Sequence, residues 1–232
     1  MSVIENIFEP SRLLLVWHHS QPGTPRHRRV VGELVRHGED ASFRYLKNTD
    51  DFHAALEEGF HEFPAFSDKA GGEHHTGALD VFMRRLPPRK REDFKEYLAQ
   101  YSLPSDFSGS AFSLLGYTGA RLASDTFELC PDLSDAKAPL DFVIEASGTQ
   151  YHTEEGKIFS EDDPVTFEAD FDNEHDKNAV KIIHSGSVVG FVNKALAPSF
   201  RRLLDSGGVE GSVLRFTERK SKSRLIILVR YL

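Results

Sequence analysis

The chain has 232 residues, of which 39% are apolar and 28% charged, and its formal net charge is -8. Those proportions fit a soluble globular protein with one ordinary core or two small ones, and they argue against disorder. The acidic surplus argues against indiscriminate binding of duplex DNA, which relies on neutralising many phosphates. The longest apolar runs, Leu13 to Trp17 and Leu225 to Val229, are of strand length and far too short to span a bilayer. Met1 to Pro10 has no basic region and no apolar stretch with a cleavage site, so no secretory signal is expected and the reading places the protein in a cytoplasm. The single Cys130 suits that reducing compartment, since it can form no internal disulfide and no thiolate metal site alone.

In chain order, Arg12 to Trp17 and Val30 to Leu34 read as strands joined by a Pro-, His- and Arg-rich loop from Gln21 to Arg29. Ser42 to Leu46 alternates with period two and makes a third strand. Phe60, Phe63 and Phe66 are spaced by three, but Pro64 interrupts any helix, so core packing is the expected use and a partner-binding ridge the alternative. Glu73, His74 and His75, with His61 and Asp80, lack the i, i+4 spacing that aims two imidazoles at one ion, and no metal is expected there. After Pro87-Pro88, the positions Phe94, Tyr97, Leu98 and Tyr101 predict a helix ended by Ser102-Leu103-Pro104. Ser110 to Gly116 predicts a shorter helix and Ala123 to Leu129 a strand. Ser110 and Ser113 have no companion His and acid, so neither reads as a nucleophile. Leu129 to Leu140 reads as a linker, because Cys130-Pro131-Asp132 and Lys137-Ala138-Pro139 bracket small and acidic residues without periodicity. The chain is therefore divided into a module at 1–130, a linker at 131–140 and a domain at 141–232.

The order of Leu14-Leu15-Val16-Trp17, Val31-Gly32-Glu33-Leu34, Ser42-Phe43-Arg44-Tyr45, Phe82 to Pro88 and Ala111 to Gly116 resembles the amino-terminal subdomain of HipA-type serine/threonine kinases. The resemblance implies a small β-rich lobe with a sheet and a helix. No kinase is expected: the sequence has no glycine-rich phosphate loop, no lysine on a following strand, and no catalytic Asp with a downstream metal-binding Asn. It implies instead a bacterial toxin–antitoxin setting, in which such a lobe docks on and restrains a separately encoded HipA-like kinase.

In the second half, Val165 to Ala169, Ala179 to Ile183 and Val188 to Val192 read as strands, the last two joined by a His184-Ser185-Gly186-Ser187 turn. Leu196, Phe200, Leu203 and Leu204 mark a short amphipathic helix stopped by Gly207-Gly208, and strands follow at Gly211 to Phe216 and Arg224 to Tyr231. These strands suit a small barrel. The charge is uneven: acid dominates from Asp141 to Asp176, whereas Arg201, Arg202, Arg215, Arg219, Lys220, Lys222, Arg224 and Arg230 crowd the end, as a local basic face or as ordinary solvated charge.

The run Asp170 to Val180, Asp-Phe-Asp-Asn-Glu-His-Asp-Lys-Asn-Ala-Val, followed by Gly190-Phe191-Val192-Asn193-Lys194-Ala195-Leu196-Ala197, closely resembles the HIRAN signature, and the likeness extends from about Phe142 to the carboxyl terminus. The resemblance implies a fold like an oligonucleotide-binding barrel, with a short helix, that captures the free 3′ end of single-stranded DNA. Asp176 matches the acid that would accept the terminal hydroxyl, a contact a phosphate in that place would lose. Tyr151 matches an aromatic on the preceding strand that would stack on the terminal base, a contact of about 1–3 kcal/mol that tolerates any sequence. Asn173 would bond a base edge or phosphate, Lys194 would neutralise a phosphate, and Phe191 or His175 would stack beside them.

The pattern also departs from the family. Gln150 stands where an Arg is common, His175 where a Tyr precedes the acid, and the basic run Arg219 to Arg224 where a loop Phe is expected. Lys220 and Lys222 could grip backbone phosphates instead. Two other readings of Asp170 to Asp176 stay open: a structural turn built by Asp and Asn side chains, and a calcium loop. The calcium reading fits poorly, because His175 stands where the sharp turn needs Gly and Lys181 where a bidentate Glu belongs.

The expectation is thus a β-rich α+β protein of two recognition modules, non-catalytic and without cofactor. Its candidate DNA-binding residues are Tyr151, Asn173, His175, Asp176, Phe191, Lys194, Lys220 and Lys222, its partner is a single-stranded DNA 3′ end, and the alternative is an antitoxin-like partner of a HipA-like kinase.

Overall fold

Alternating apolar residues in the first half form strands because each can turn one face to a core and the other to solvent. A computed structural model describes residues 4–19, 27–67, 77–152, 158–218 and 223–232. It divides into two units. The first comprises Glu9–Tyr97 and Ser108–Asp132; the second comprises the amino-terminal segment through Phe8, Leu98–Phe107 and Leu133–Leu232.

The first unit is built on an antiparallel sheet of order β3-β2-β1-β4, with β1 at Arg12–His18, β2 at Arg28–His37, β3 at Asp40–Tyr45 and β4 at Phe127–Pro131. Helices α1 (Asp50–Glu57), α2 (Ala78–Met83) and α4 (Ala111–Thr118) accompany it, and α3 (Phe94–Gln100) begins in this unit and ends in the second. The expected strands and the two expected helices are present, except that the strand expected at Ala123 to Leu129 is shifted to Phe127–Pro131. Sequence periodicity overlooked α1 and α2, each of which buries only two residues and so leaves a weak apolar pattern. The signal for α1 lay in its cap: Thr49 accepts the Phe52 N–H, and Asp50 and Asp51 oppose the helix dipole in the first turn. Leu129 and Cys130, read as the start of a linker, are buried in β4, where they pair with Leu15 and Leu14. Burial pushes the Cys130 thiol up to about 12, which makes it a packing residue rather than a reactive one.

The core of this unit is aromatic. Phe60, Phe63 and Phe66 are all buried, as expected. Phe63 stacks on Phe82 at 4.9 Å and Phe66 on Phe43 at 4.7 Å. The Tyr45 hydroxyl donates to the Phe66 carbonyl at 2.5 Å and accepts the Phe63 N–H at 2.8 Å, so even the polar atom in this cluster is satisfied. On the sheet, buried Glu33 binds Arg12 and Arg44, and buried Glu128 binds Arg28 and Arg121.

The second unit contains a six-stranded sheet of order β5-β10-β9-β6-β7-β8. The strands are β5 at Leu140–Glu145, β6 at Pro164–Ala169, β7 at Val180–His184, β8 at Ser187–Phe191, β9 at Val209–Thr217 and β10 at Arg224–Tyr231. The two outer strands meet. Just past β5, the Ala146 N–H donates to the Leu225 carbonyl of β10, and Ser147 exchanges two backbone hydrogen bonds with Phe191 of β8 at 2.8 and 2.9 Å. This isolated bridge closes the sheet into a small barrel at one point, while β5 and β8 share no further strand pairing among the described residues. Helix α6 (Ala197–Ser206) starts after an Asn193 side-chain turn and lays Phe200 and Leu203 on the barrel, with Phe200 4.9 Å from the Phe167 ring. Among the described residues no helix is long and apolar enough to cross a membrane.

Candidate functional site

The site is assembled around Phe191, at the point of closure. In the antiparallel register, Phe191 lies opposite Lys181 on one side and bridges Ser147 on the other. Each neighbour leads to a candidate ligand group.

On the Lys181 side stands the loop from Asp170 to Ala179. The Lys181 ammonium binds Asp170 Oδ1 at 2.8 Å, and Asp170 Oδ2 accepts Asn173 Nδ2 at 3.0 Å. Asn173 Oδ1 in turn accepts the N–H groups of His175 and Asp176 at 3.0 and 2.9 Å, and Asp176 Oδ1 accepts the Asn178 N–H at 2.9 Å. The Ala179 N–H donates to the Asp176 carbonyl and the Asp170 N–H to the Ala179 carbonyl, both at 2.9 Å, which ties the loop shut at its base. The loop is therefore a turn held by Asp and Asn side chains. That turn presents Asp176 half-buried, with Oδ2 carrying no hydrogen bond among the described residues, and His175 exposed. Asn173, expected to read a base or phosphate, has its oxygen and one amide hydrogen committed within the loop; its observed contacts are those of a brace.

Hydrogen bonds first from Lys181 and then from Asn173 hold the Asp170 carboxyl below the usual carboxylate range. A depressed carboxyl stabilises the fold fully above its unfolded value of about 4, and that contribution is lost as the pH falls through the folded value. Amide exchange at His175 and Asp176 is thus expected to lose protection as the pH drops below about 4, before that of β10, and Asp170→Asn is expected to abolish this pH step.

On the Ser147 side the chain turns at once into α5 (Thr149–His152). Tyr151 was expected on a strand; it lies on this helical turn instead. The bridge ends at Ser147, Gly148 takes a left-handed conformation, and Thr149 Oγ1 bonds back to the Ala146 carbonyl at 3.3 Å, so the chain cannot continue extended. The turn leaves Tyr151 81% exposed and sets the His152 ring 5.2 Å from the Phe191 ring, edge to face. Gly190 makes this approach possible: a Cβ there would stand 2.9 Å from the Ser147 carbonyl and 3.3 Å from Thr149 Oγ1.

Phe191, with His152 on it, thus joins Tyr151 and the Asp176 loop through one strand register and one bridge. Lys194 is exposed three residues past Phe191. Lys220 and Lys222 lie outside the described residues, as do Glu73, His74 and His75. Among the described residues no group of three or more His, Cys, Asp or Glu side chains could hold a metal, and Asp170, the first acid of the calcium reading, is paired with Lys181. Sequence reasoning missed His152, whose role depends on the α5 turn, and the pair Phe171 and Arg201, which are thirty residues apart in sequence yet in cation–π contact at 4.8 Å.

The closed sheet, the Asp/Asn-braced loop and the helical turn after β5 define a small β-rich domain. More specifically, residues 140–227 match the family model of the HIRAN domain, and the second unit carries that domain. Two solved structures are similar. The crystal structure of the HIRAN domain of human HLTF is 22% identical, with 39% of this chain and 74% of that one covered at a TM-score of 0.34. A protein from Lactobacillus plantarum is 17% identical, with 40% and 95% covered at a TM-score of 0.32. No curated protein matches the chain.

Proposed function

We propose that the HIRAN domain of this protein binds single-stranded DNA and holds its free 3′ end, acting as a non-catalytic recognition module. The observation that carries the reading is the fixed carboxylate of Asp176, with one oxygen engaged by the Asn178 N–H and the other without a partner among the described residues. A carboxylate so placed accepts the hydrogen of a terminal hydroxyl and repels a terminal phosphate, which is the distinction between a free end and a blocked one.

Tyr151 supplies an exposed face for the terminal base, and Phe191 with His152 forms the wall beside it. Stacking of this kind is sequence-tolerant and independent of charge. Lys194 adds one phosphate contact, with Lys220 and Lys222 as further candidates, so the predicted salt dependence is shallow. Asn173 serves in this reading by rigidifying the loop, which lowers the ordering cost of binding.

The test is fluorescence anisotropy with a short single strand ending in a 3′-hydroxyl or a 3′-phosphate, on the full chain and on Asp176→Ala. The hydroxyl strand is expected to bind more tightly than the phosphate strand, and Asp176→Ala to lose that preference with affinity reduced on the order of tenfold, as for a charged hydrogen bond of about 1.5 kcal/mol. Equal binding of both ends by the wild type would sink end capture. No DNA binding at all would leave the kinase-docking role implied by the resemblance of the first half.

A further inference from the structure

The loop that carries Asp176 also displays an aromatic that the end-capture site does not use. Phe171 follows the loop's anchoring residue Asp170 and is 78% exposed. A lone exposed apolar residue needs no explanation, but Phe171 is held rather than merely exposed. Arg201, on α6, places its guanidinium carbon 4.8 Å from the centre of the Phe171 ring, and its Nη1 donates to the Lys177 carbonyl at 2.7 Å. One side chain thus braces the loop next to Asp176 and covers one face of the ring. The high exposure leaves the rest of the ring open to solvent.

We infer that Phe171, backed by Arg201, is a stacking platform for a second nucleobase of the bound strand, at a nucleotide other than the one whose 3′-hydroxyl meets Asp176. The inference rests on the single-strand reading above and extends it along the strand. A ring with a cation behind it offers a flat surface that suits any base. Its loop neighbours Asp172 and Glu174 are exposed carboxylates, which disfavour phosphates and so favour contact through a base rather than through the backbone. A protein interface centred on this ring would need an apolar patch around it. The flanking Asp170, Asp172 and Asn173 supply none, and Arg201 is the only ring or cation packed on Phe171 among the described residues.

The test compares the full chain with Phe171→Ala, Phe171→Trp and Arg201→Ala on 3′-hydroxyl strands of roughly 4 to 12 nucleotides, with a fluorescent 2-aminopurine moved one position at a time. The expected result is quenching of 2-aminopurine at one internal position, lost in Phe171→Ala together with affinity on the order of tenfold, and restored in Phe171→Trp. Arg201→Ala should weaken both, and preference for the free 3′-hydroxyl should persist in every variant. Because Phe171 is exposed, Phe171→Ala should keep the wild-type unfolding midpoint. Unchanged affinity and quenching in Phe171→Ala, with the hydroxyl preference intact, would overturn the inference alone and leave the ring to a protein contact. A wild-type chain that binds no single strand would overturn this inference and the reading beneath it together.

Discussion

Phe43→Ala is expected to destabilise the first unit by about 3–5 kcal/mol, the range for removing a buried phenylalanine. The ring is fully buried in β3 and lies at the centre of the aromatic core, stacked on Phe66 at 4.7 Å, edge-on to Tyr45 at 4.9 Å and 6.1 Å from Phe82. It also fills the space above Gly32 on the neighbouring strand, where a Cβ would come within 2.7 Å of the ring. Alanine leaves a void among large planar groups that cannot collapse without breaking the two Tyr45 hydroxyl bonds to Phe63 and Phe66. The measurement is unambiguous because the chain has a single tryptophan. Trp17 lies in β1 of this unit with its ring 5.6 Å from Phe60, so its fluorescence in a denaturant titration reports the first unit directly. A midpoint within error of wild type would contradict the packing described.

Gly190→Val is expected to cost roughly 2–6 kcal/mol and to abolish the proposed strand-end binding, because backbone strain and overpacking, each about 1–3 kcal/mol, act at one residue. Gly190 has a φ of +153°, and its missing Cβ leaves room for the Ser147 carbonyl at 2.9 Å, a backbone atom that cannot rotate away. A side chain there pushes Ser147 off Phe191, opening the bridge that closes the barrel and displacing α5, with Tyr151 and His152, from the site. Gly186→Ala provides the contrast. Its φ is +77° but nothing lies within 4 Å of the added Cβ, so only the conformational cost of about 1 kcal/mol is expected, with the site intact. The two variants are compared by thermal unfolding, by amide exchange at Ser147 and Phe191, and by single-strand binding. Retained protection of those two amides in Gly190→Val would contradict the closure argument.

Where apolar residues alternate and a turn signal follows, sequence and structure agree closely. Arg224 to Tyr231 is a strand as expected, and Val165 to Ala169 and Gly211 to Phe216 are each extended by a residue or two at the ends, where hydrogen bonds rather than side-chain pattern set the limit. Local chemistry was legible in the same way: the Asp- and Asn-rich run is a turn because those side chains reach backbone N–H groups two or three residues on. The turn reading and the ligand reading therefore do not compete, since the bonds that build the turn also present Asp176. By contrast, Tyr151 changed from a strand to a helical turn because its conformation follows from a bridge to Phe191, forty residues later, and not from its neighbours.

The sequence by itself determined that the Asp- and Asn-rich run is a turn, placed five of the second unit's strands and pointed to a HIRAN domain, since each rests on residues within a few positions of one another or on a motif with fixed spacing, whereas β5 and the order of strands in the sheet came from the structure. Only the tertiary structure decided how those parts meet. The Ser147–Phe191 bridge, the His152 ring on Phe191, and the Arg201 guanidinium behind Phe171 each join residues that far exceed the range of any helical or strand period. Such contacts form because closing the sheet satisfies edge hydrogen bonds and packs α6 on the barrel, a consequence of the whole chain's burial that no local pattern records.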